Sequence, residues 1–349
     1  MKIALKNSLS SLQDIFRKAM PPRTASGSTI STSLDIGDTY VKAISIKRNN
    51  HDVAVIGFAC EKTSSDVKST IKYILSNMPV NKREIALSIA GRGVVLRYVN
   101  LPIMNHEDTA SAMAFELEKY IPFSKDEVHF DFSVLKKNKN TGKMLVLIAA
   151  AKKDIIAEKI KLCEELGYRL RFIDVNPLAI ANYCAEIEGV KEGVCAALDL
   201  GSAVASVDIL EDGLLVLSRD IFIGGNDFTK KISEYFNKDF QEAEQIKMTA
   251  LDSAVASSLE SAMSNLIAEL KVSFDFYETQ TNRLIDKILL TGGTAKLGGI
   301  VDALHQSLGQ EVELIQYNPQ KLTVDPSVDM QRLKEHFNYL IVALGTALR

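Results

Sequence analysis

The sequence predicts an α/β fold of two domains built on the same plan, and three observations support this. Two stretches, residues 33–44 and 197–210, share a pattern of apolar strand, aspartate, glycine and second apolar strand. Each stretch continues through a polar turn into a third strand, as an internal duplication would. A double glycine, Gly292-Gly293, follows a further apolar strand late in the chain. The repeated three-stranded units therefore predict two lobes built on the same plan.

Length and composition are those of an ordinary soluble protein with two domains. The chain has 349 residues, of which 46% are hydrophobic and 24% charged. Its net charge of −3 gives no case for nucleic acid as a partner, since nucleic acid would favour a basic face. The four cysteines stand singly without C-x-x-C spacing, which predicts reduced core residues in a cytosolic protein. No apolar run approaches ~18 residues and no secretory signal is evident, so no membrane span is expected.

Residues 1–28 stand apart from the rest. Their apolar side chains fall near helical spacing beside several lysines and arginines, which predicts an amphipathic helix ended by Pro21-Pro22. A polar linker follows. Such a helix could lie on a membrane surface, dock to a partner or remain a mobile tail.

Between the two repeated units, strands and helices alternate. Periodicity predicts helices over residues 66–77, 105–120 and 154–166, with Asn105 as an N-cap and Gly167 as a helix stop. Apolar runs predict strands over residues 84–89, 94–101, 128–135, 143–151 and 170–175. The basic run at residues 136–143 is interpreted as a solvated hairpin turn.

Two segments rich in small apolar residues, 176–183 and 339–349, are predicted to pair where the chain crosses between the lobes. The first begins with Asn176-Pro177, a favourable helix start. In the second half, helices are predicted from about residue 228, over residues 240–248 and over residues 253–280. A strand at residues 287–290 leads into the double-glycine loop.

The two hairpins suggest a common site. Asp35 and Asp199 end their strands, where each could hold a hydrated Mg²⁺ through water. The glycine turns expose backbone N–H groups that suit an anion, and the Gly292-Gly293 loop leaves room for a phosphate or ribose. The sequence contains neither a Walker A loop nor a G-x-G-x-x-G dinucleotide motif. Two facing hairpins could therefore clamp one polyphosphate and its metal.

These motifs together resemble the actin, sugar-kinase and heat-shock ATPase superfamily. More narrowly, residues 92–131, with Leu101-Pro102 and Glu118-Lys119-Tyr120-Ile121-Pro122-Phe123, resemble the PilM family of cytoplasmic actin-like proteins in type IV pilus assembly. The segments Ala149-Ala150-Ala151-Lys152-Lys153 and Ala343-Leu344-Gly345-Thr346-Ala347-Leu348-Arg349 add to this likeness. The resemblance covers about residues 29–349.

The resemblance implies an actin-like (ribonuclease H-like, duplicated) two-lobed fold with a central nucleotide cleft. It assigns residues 29–91, 154–190 and the C-terminal helix 337–349 to the core of lobe 1, and residues 191–225 and 283–336 to the core of lobe 2. Residues 92–153 would be the family's insert subdomain, and residues 226–282 the upper part of lobe 2.

The resemblance also implies that ATP and Mg²⁺ bind in the cleft. Asp35 and Asp199 would hold the metal through water, and Asn176 would orient the attacking water, so these three are the expected catalytic residues. The expected nucleotide-binding residues are Gly37, Asp38, Thr39, Lys42, Gly201, Ser202, Gly224, Gly225, Glu244, Lys247, Gly292, Gly293 and Leu297. Asp38 departs from the family, which usually carries a small hydroxyl residue there. A carboxylate beside phosphates is repulsive, so slow or absent hydrolysis is expected.

The function implied is that of an ATP-binding adaptor with at most slow ATPase activity. Its expected partner is the cytoplasmic N-terminal tail of a PilN-type inner-membrane protein, which would anchor it to the pilus assembly platform at the inner face of the inner membrane. Contact with the membrane would be peripheral only, and a homo-oligomer is left open. The alternatives are an FtsA-like membrane-tethered filament, a sugar-kinase-type phosphotransferase, and a scaffold with an empty cleft.

Overall fold

The computed structural model describes residues 29–49, 52–249 and 253–349. The amphipathic segment predicted over residues 1–28 lies outside them. In chain order, the strands and α-helices are β1 (Thr29–Ile36), β2 (Tyr40–Asn49), β3 (Asp52–Lys62), α1 (Val67–Ser76), β4 (Glu84–Ile89), β5 (Val94–Pro102), α2 (His106–Glu116), β6 (Val128–Asn138), β7 (Lys143–Lys152), α3 (Lys153–Glu165), β8 (Arg169–Val175), α4 (Asn176–Glu186), β9 (Val194–Leu200), β10 (Ala205–Glu211), β11 (Leu214–Ile221), α5 (Gly225–Phe236), α6 (Phe240–Thr249), α7 (Ser253–Thr281), β12 (Lys287–Thr291), α8 (Ile300–Leu308), β13 (Glu311–Leu314), β14 (Thr323–Val324), α9 (Met330–His336) and α10 (Ile341–Leu348).

Two sheets repeat one arrangement, as the sequence predicts. The first has six strands in the order β14-β3-β2-β1-β4-β8, and the second has five in the order β11-β10-β9-β12-β13. In each sheet an antiparallel β-meander (β1–β3 or β9–β11) is extended by parallel strands on the side of its first strand. The α/β class and the internal duplication are confirmed.

A third sheet, antiparallel with the order β5-β7-β6, lies within the predicted insert. It has a small core of its own, in which Met113 and Leu117 of the preceding helical region pack against Val146 and Ile148 of β7. The predicted N-cap is present, because the side chain of Asn105 accepts a hydrogen bond from the N–H of Asp108 at 2.8 Å. Strand β6 lies at an edge of this sheet, since β7 is its neighbour on one side only.

At β14 the structure differs from the predicted division of the chain between the two lobes. This two-residue strand falls within the range 283–336 expected for lobe 2, yet it pairs in parallel with β3 of the first sheet. The N–H of Asp325 continues the pairing by donating to the carbonyl of Val55 at 2.8 Å. The chain therefore returns to the first lobe before the range predicted for the C-terminal helix begins.

Helices α4 and α10 pack in direct contact, which confirms the predicted pairing. A Cβ added at Gly345 would overlap the carbonyl oxygen of Ala179, so only glycine permits this approach. The surrounding hydrophobic cluster takes residues from both large sheets, among them Ile173 and Leu289. The hydroxyl of Ser33 on β1 also donates to the carbonyl of Ala343 at 2.5 Å. The helix pair is therefore built into the core.

Within the described ranges, no helix has the length and apolar character needed to cross a lipid bilayer.

Candidate functional site

The first hairpin places a cation and an anion side by side. Asp35 ends β1, and the antiparallel register sets it opposite Lys42 on β2. Their side chains are only 9% and 15% exposed, and Lys42 Nζ lies 2.7 Å from Asp35 Oδ2. Burial opposes the charge on Lys42, but the adjacent Asp35 carboxylate holds the pKa of Lys42 above its usual value. Lys42 is therefore a cation fixed at the end of the strand.

Gly37 leaves room for this arrangement. Its N–H donates to the carbonyl of Tyr40 at 3.0 Å and closes the turn. A Cβ at this position would lie 2.9 Å from Lys42 Nζ. Asp38 and Thr39 occupy the tip of the turn and are exposed.

The second hairpin repeats the design with Asp199 and Gly201. The N–H of Gly201 donates to the carbonyl of Val204 at 3.1 Å, which matches the bond made by Gly37. Asp199 is level with Thr291 on the neighbouring β12. Burial raises the pKa of Asp199 to about 6; the Lys42 cation opposes that shift and the Asp35 carboxylate adds to it. The residues at the two strand ends thus lie close enough to influence each other's charge.

The double-glycine loop closes over Asp199. Gly292 has a φ of 92°, and a Cβ there would overlap both the Asp199 carboxylate and the carbonyl of Leu200. Asn338 fixes the loop from the C-terminal region: its side-chain N–H donates to the Gly292 carbonyl at 2.7 Å, and its carbonyl accepts from the Gly292 N–H at 3.2 Å. Close approach of backbone to side chain thus explains this glycine.

The start of α5 joins the second hairpin to α6. The N–H of Gly225 donates to the Gly201 carbonyl at 3.0 Å, and a Cβ on Gly224 would lie 2.6 Å from the Ser202 carbonyl oxygen. Ser202 also accepts a hydrogen bond from the N–H of Asn226 at 2.7 Å. The predicted glycines and Ser202 are therefore in one place, with backbone groups meeting at a helix N-terminus.

Glu244 and Lys247 of α6 reach the same helix start. Lys247 Nζ donates to the Gly225 carbonyl at 3.1 Å and to Thr229 Oγ1 at 2.7 Å, and it lies 2.7 Å from Glu244 Oε2. Thr229 in turn donates to Glu244 at 2.5 Å. Sequence reasoning missed Thr229, and it missed Thr294, whose hydroxyl donates to the Gly201 carbonyl at 3.0 Å. The only available signal for Thr294 was its place directly after the double glycine.

An aromatic pair, which sequence reasoning also missed, lies beside the double-glycine loop. The rings of Tyr40, from the first hairpin, and Tyr339 meet edge to face with centroids 5.4 Å apart. Tyr339 packs over Gly293, where a Cβ would come within 2.8 Å of the ring, and Lys296 Nζ lies 5.0 Å from the ring centroid. Burial, and to a smaller degree the charge of Glu244, raises the pKa of Tyr40. This pair therefore joins the first hairpin to the loop of the second lobe.

The two remaining predicted residues are Asn176 and Leu297. Asn176 begins α4 directly after β8, and no hydrogen-bond partner among the described residues meets its buried Oδ1. The parallel register sets Asp35 level with Ser88, and Ser88 level with Asp174, so Asn176 lies at the same sheet edge. The side chain of Leu297 packs in the core of the second lobe, so only its backbone is free to line a cleft.

The donor set fits a hydrated ion and a polyphosphate better than a directly ligated metal. Within the described ranges, no group of three or more His, Cys, Asp or Glu side chains could hold a metal. The two carboxylates of Asp35 and Asp199, the Lys42 cation and the unpartnered amide oxygen of Asn176 offer outer-sphere contacts instead.

A crevice of about 40 Å³ separates the insert from the first lobe. Residues from the edge strand β6, from β7, from β8 and α4, and from the C-terminus line it: Asp131, Phe132, Ser133, Leu147, Ala149, Ile173, Asp174, Val175, Leu178 and Arg349. The buried carboxylate of Asp174 lies 2.5 Å from Arg349 Nη1, and its other oxygen, Oδ2, finds no hydrogen-bond partner among the described residues. Ile121 belongs to the Tyr120-Ile121-Pro122-Phe123 stretch noted in the sequence. It does not line this crevice but packs in the core of the insert.

Comparison with known proteins gives consistent matches. A family model described as type IV pilus assembly protein PilM matches residues 33–349. A solved PilM-PilN type IV pilus biogenesis complex contains a chain with 26% identity and a TM-score of 0.82, covering 94% of this chain and 99% of the other. The cell division protein FtsA of Enterococcus hirae is 23% identical, in a match that covers 80% of this chain and 77% of its own length.

Two more distant structures share the fold. The ethanolamine utilization protein EutJ of Carboxydothermus hydrogenoformans has 15% identity and a TM-score of 0.53, covering 99% of this chain and 98% of its own. MreB5 of Spiroplasma citri, solved with ADP bound, has 14% identity and a TM-score of 0.50, covering 91% and 94%. The predicted actin-like fold is thereby confirmed.

Proposed function

Because its residues 33–349 match the family model, the chain belongs to the family of type IV pilus assembly protein PilM, and we propose that it is an ATP-binding adaptor for the tail of a PilN-type protein. It would work at the inner face of the inner membrane, held to the assembly platform by that partner. The likeness to a chain of a PilM-PilN complex supports this proposal.

The crevice beside β6 is the observation that carries the adaptor proposal. Strand β6 pairs with β7 on one side, so an extended peptide could add its backbone hydrogen bonds along the other. The lining offers apolar contact from Leu147, Ile173 and Leu178 and polar contact from the Asp174–Arg349 pair. A peptide of about ten residues bound in this way should reach micromolar affinity, roughly −8 kcal/mol.

The strand ends of the two hairpins support nucleotide binding. Lys42 would neutralise phosphate charge, the two aspartates would hold metal-bound water, and Glu244 with Lys247 would approach the ribose and adenine. Mg²⁺·ATP would supply a ligand whose charge and size draw the two lobes to defined positions. Slow hydrolysis is expected, because Asp38 adds a carboxylate at the tip of the phosphate-binding turn.

A peptide titration tests the adaptor proposal. The N-terminal peptide of the PilN-type protein should bind the intact chain with micromolar affinity by calorimetry. Ser133→Trp should weaken it at least ~10-fold, about 1.4 kcal/mol, because the indole would fill the crevice. Ser264→Trp, at an exposed site on α7, is the matched control and should bind like the wild type. Absence of binding by the intact chain refutes the adaptor proposal, and equal binding by Ser133→Trp places the peptide elsewhere.

A second titration tests the nucleotide. Asp199→Ala should weaken Mg²⁺·ATP binding at least ~10-fold, about 1.4 kcal/mol, because the metal-bound water loses one of its two carboxylates. Asp275→Ala, which removes an exposed carboxylate from α7, should leave the affinity unchanged. Identical isotherms for wild type and Asp199→Ala would remove this residue from the site.

Filament formation is a second candidate, favoured by the likeness to FtsA and by one surface. Val272 and Phe276 lie one turn apart on α7 and are 57% and 58% exposed. Exposed apolar pairs of this kind suit contact between protein copies. Sedimentation with ATP would detect filaments, and loss of the pellet in Phe276→Ser would assign this surface to them.

A further inference from the structure

The hairpin turn between β6 and β7 concentrates positive charge. Residues 136–143 contain Lys136, Lys137, Lys139 and Lys143 and no acidic residue, whereas the chain as a whole has a net charge of −3. All four lysines are exposed. This is a local basic tip on a chain that is otherwise weakly acidic.

One of the lysines anchors the hairpin and leaves three for a partner. Lys136 forms an ion pair with Glu211 of β10, and Glu211 also accepts a hydrogen bond from Tyr277 at 2.9 Å. The ion pairs formed among the described residues do not include the three other lysines of the turn. The base of the hairpin is therefore tied to the second lobe, while the described ion pairs leave out the three lysines nearer its tip.

The tip is ordered and has an apolar side chain beside it. Asn138 Oδ1 accepts hydrogen bonds from the N–H groups of Asn140 and Thr141 at 3.0 and 3.2 Å. The carbonyl of Gly142 accepts a hydrogen bond from the N–H of Ile103 at 2.9 Å, and Ile103 is 40% exposed. A basic turn whose backbone is bonded to an exposed isoleucine suits a surface that offers anionic groups over an apolar layer.

We propose that this hairpin tip docks on an anionic phospholipid membrane. The choice of a membrane rests on the proposed function. Strand β6 runs from the crevice to the tip, and the stretch from Ser133 to Asn138 spans about 17 Å. A membrane-anchored tail held in the crevice would therefore keep the tip close to the lipid headgroups. The docking adds affinity by bringing a second contact to the same surface.

Vesicle pelleting with the full chain tests the proposal. The wild type should pellet with vesicles of equal parts phosphatidylcholine and phosphatidylglycerol, but not with phosphatidylcholine alone. Each lysine near an anionic surface contributes roughly a factor of five to partitioning, so Lys137→Gln/Lys139→Gln/Lys143→Gln should lower it about 100-fold. Binding should also weaken as salt rises, since the Debye length falls from about 10 Å at 0.1 M to about 3 Å at 1 M.

A matched triple variant controls for net charge. Lys72→Gln/Lys191→Gln/Lys271→Gln removes three exposed lysines elsewhere and should pellet like the wild type. All three proteins retain residues 1–28, so their difference reports on the hairpin. Ile103→Ser should lower partitioning by a smaller factor. Equal pelleting of the two triple variants overturns the proposal, and so does failure of the wild type to pellet. A wild type that binds duplex DNA but not vesicles overturns it as well.

The peptide titration separates this proposal from the adaptor proposal. The hairpin variant should bind the soluble PilN-type peptide as tightly as the wild type, because the three lysines lie outside the crevice. If the wild type binds the peptide normally but does not bind vesicles, only the membrane-docking proposal is refuted. Loss of peptide binding by the wild type refutes the adaptor proposal.

Discussion

At the scale of single residues, the charges at the two strand ends set what the cleft can hold. Asp35 offsets part of the Lys42 charge, and Asp199, with its pKa near 6, is mostly ionised at neutral pH. The described centre therefore carries more negative than positive charge before any ligand arrives. A polyphosphate would be repelled there unless it brings a cation, so Mg²⁺ removal should abolish ATP binding.

Asp38 adds to that negative charge from the tip of the first turn. Asp38→Ser should tighten ATP binding or raise hydrolysis, because one repulsive carboxylate is removed. The gain should be larger for ATP than for ADP, whose phosphate chain is shorter. Paired calorimetric titrations with both nucleotides measure the difference. If the variant binds both no better than the wild type, the Asp38 carboxylate lies too far from the phosphates to matter.

Asp208 predicts a pH dependence of stability. Burial raises its pKa to about 7, while hydrogen bonds from Ser218 and Ser206 oppose the shift and the carboxylates of Asp199 and Asp220 add to it. Tyr98 of the insert also faces this carboxyl. The folded state thus binds a proton that the unfolded chain, with an ordinary pKa of 3.8, releases. The free energy of unfolding should therefore fall as pH rises from about 4 to about 7.

Asp208→Asn removes this ionisation. The variant should gain on the order of a few kcal/mol over the wild type above pH 7, since the cost of the buried charge disappears. Urea unfolding at several pH values measures the slope. Asp199 keeps part of the slope in the variant, because its pKa is also raised. Parallel curves for the two proteins would contradict the assignment to Asp208.

At the scale of secondary structure, the periodic segments were predictable and the close approaches were not. The strand-turn-strand units can be recognised from the sequence because apolar alternation and a glycine turn are local signals. Strand β14 cannot be predicted from the sequence, because two residues carry no periodicity and only pairing with β3 defines it. Tyr339 likewise reaches the double-glycine loop through tertiary packing on Gly293, which no local pattern encodes. The site was therefore predictable in its glycines and acids but not in its aromatic and threonine contacts.

The contact between α4 and α10 predicts that a Gly→Ala substitution lowers stability, the opposite of its usual effect in a helix. In an ordinary helix interior, Gly→Ala stabilises by about 1 kcal/mol. Gly345→Ala should instead destabilise by roughly 1–3 kcal/mol, because its methyl group would overlap the Ala179 carbonyl and force the helices apart. Chemical unfolding measures the change. Ser264→Ala, on the exposed face of α7, should stay within about 0.5 kcal/mol of the wild type. Stabilisation by Gly345→Ala would mean that the helices have room to separate.

At the scale of the whole molecule, the crevice and the Asp35 strand end share one junction. Asp174 and Val175 at the end of β8 line the crevice, and Asn176, the next residue, begins α4 at the sheet edge that carries Asp35. Helix α4 then packs against α10 in a cluster that draws residues from both large sheets. A movement of the lobes around a nucleotide would therefore act on a segment that also forms the wall of the crevice.

This shared junction predicts that the peptide and the nucleotide are energetically linked. Saturating Mg²⁺·ATP should change the affinity of the PilN-type peptide by roughly 5- to 150-fold, and saturating peptide should change the affinity of ATP by the same factor, because linkage is reciprocal. Two calorimetric titrations, each with and without the other ligand, measure both factors. In Asp199→Ala, a nucleotide concentration that saturates the wild type should leave the peptide affinity nearly unchanged. A peptide affinity that does not respond to nucleotide in the wild type would mean that the β8–α4 junction is rigid and that the two sites act independently.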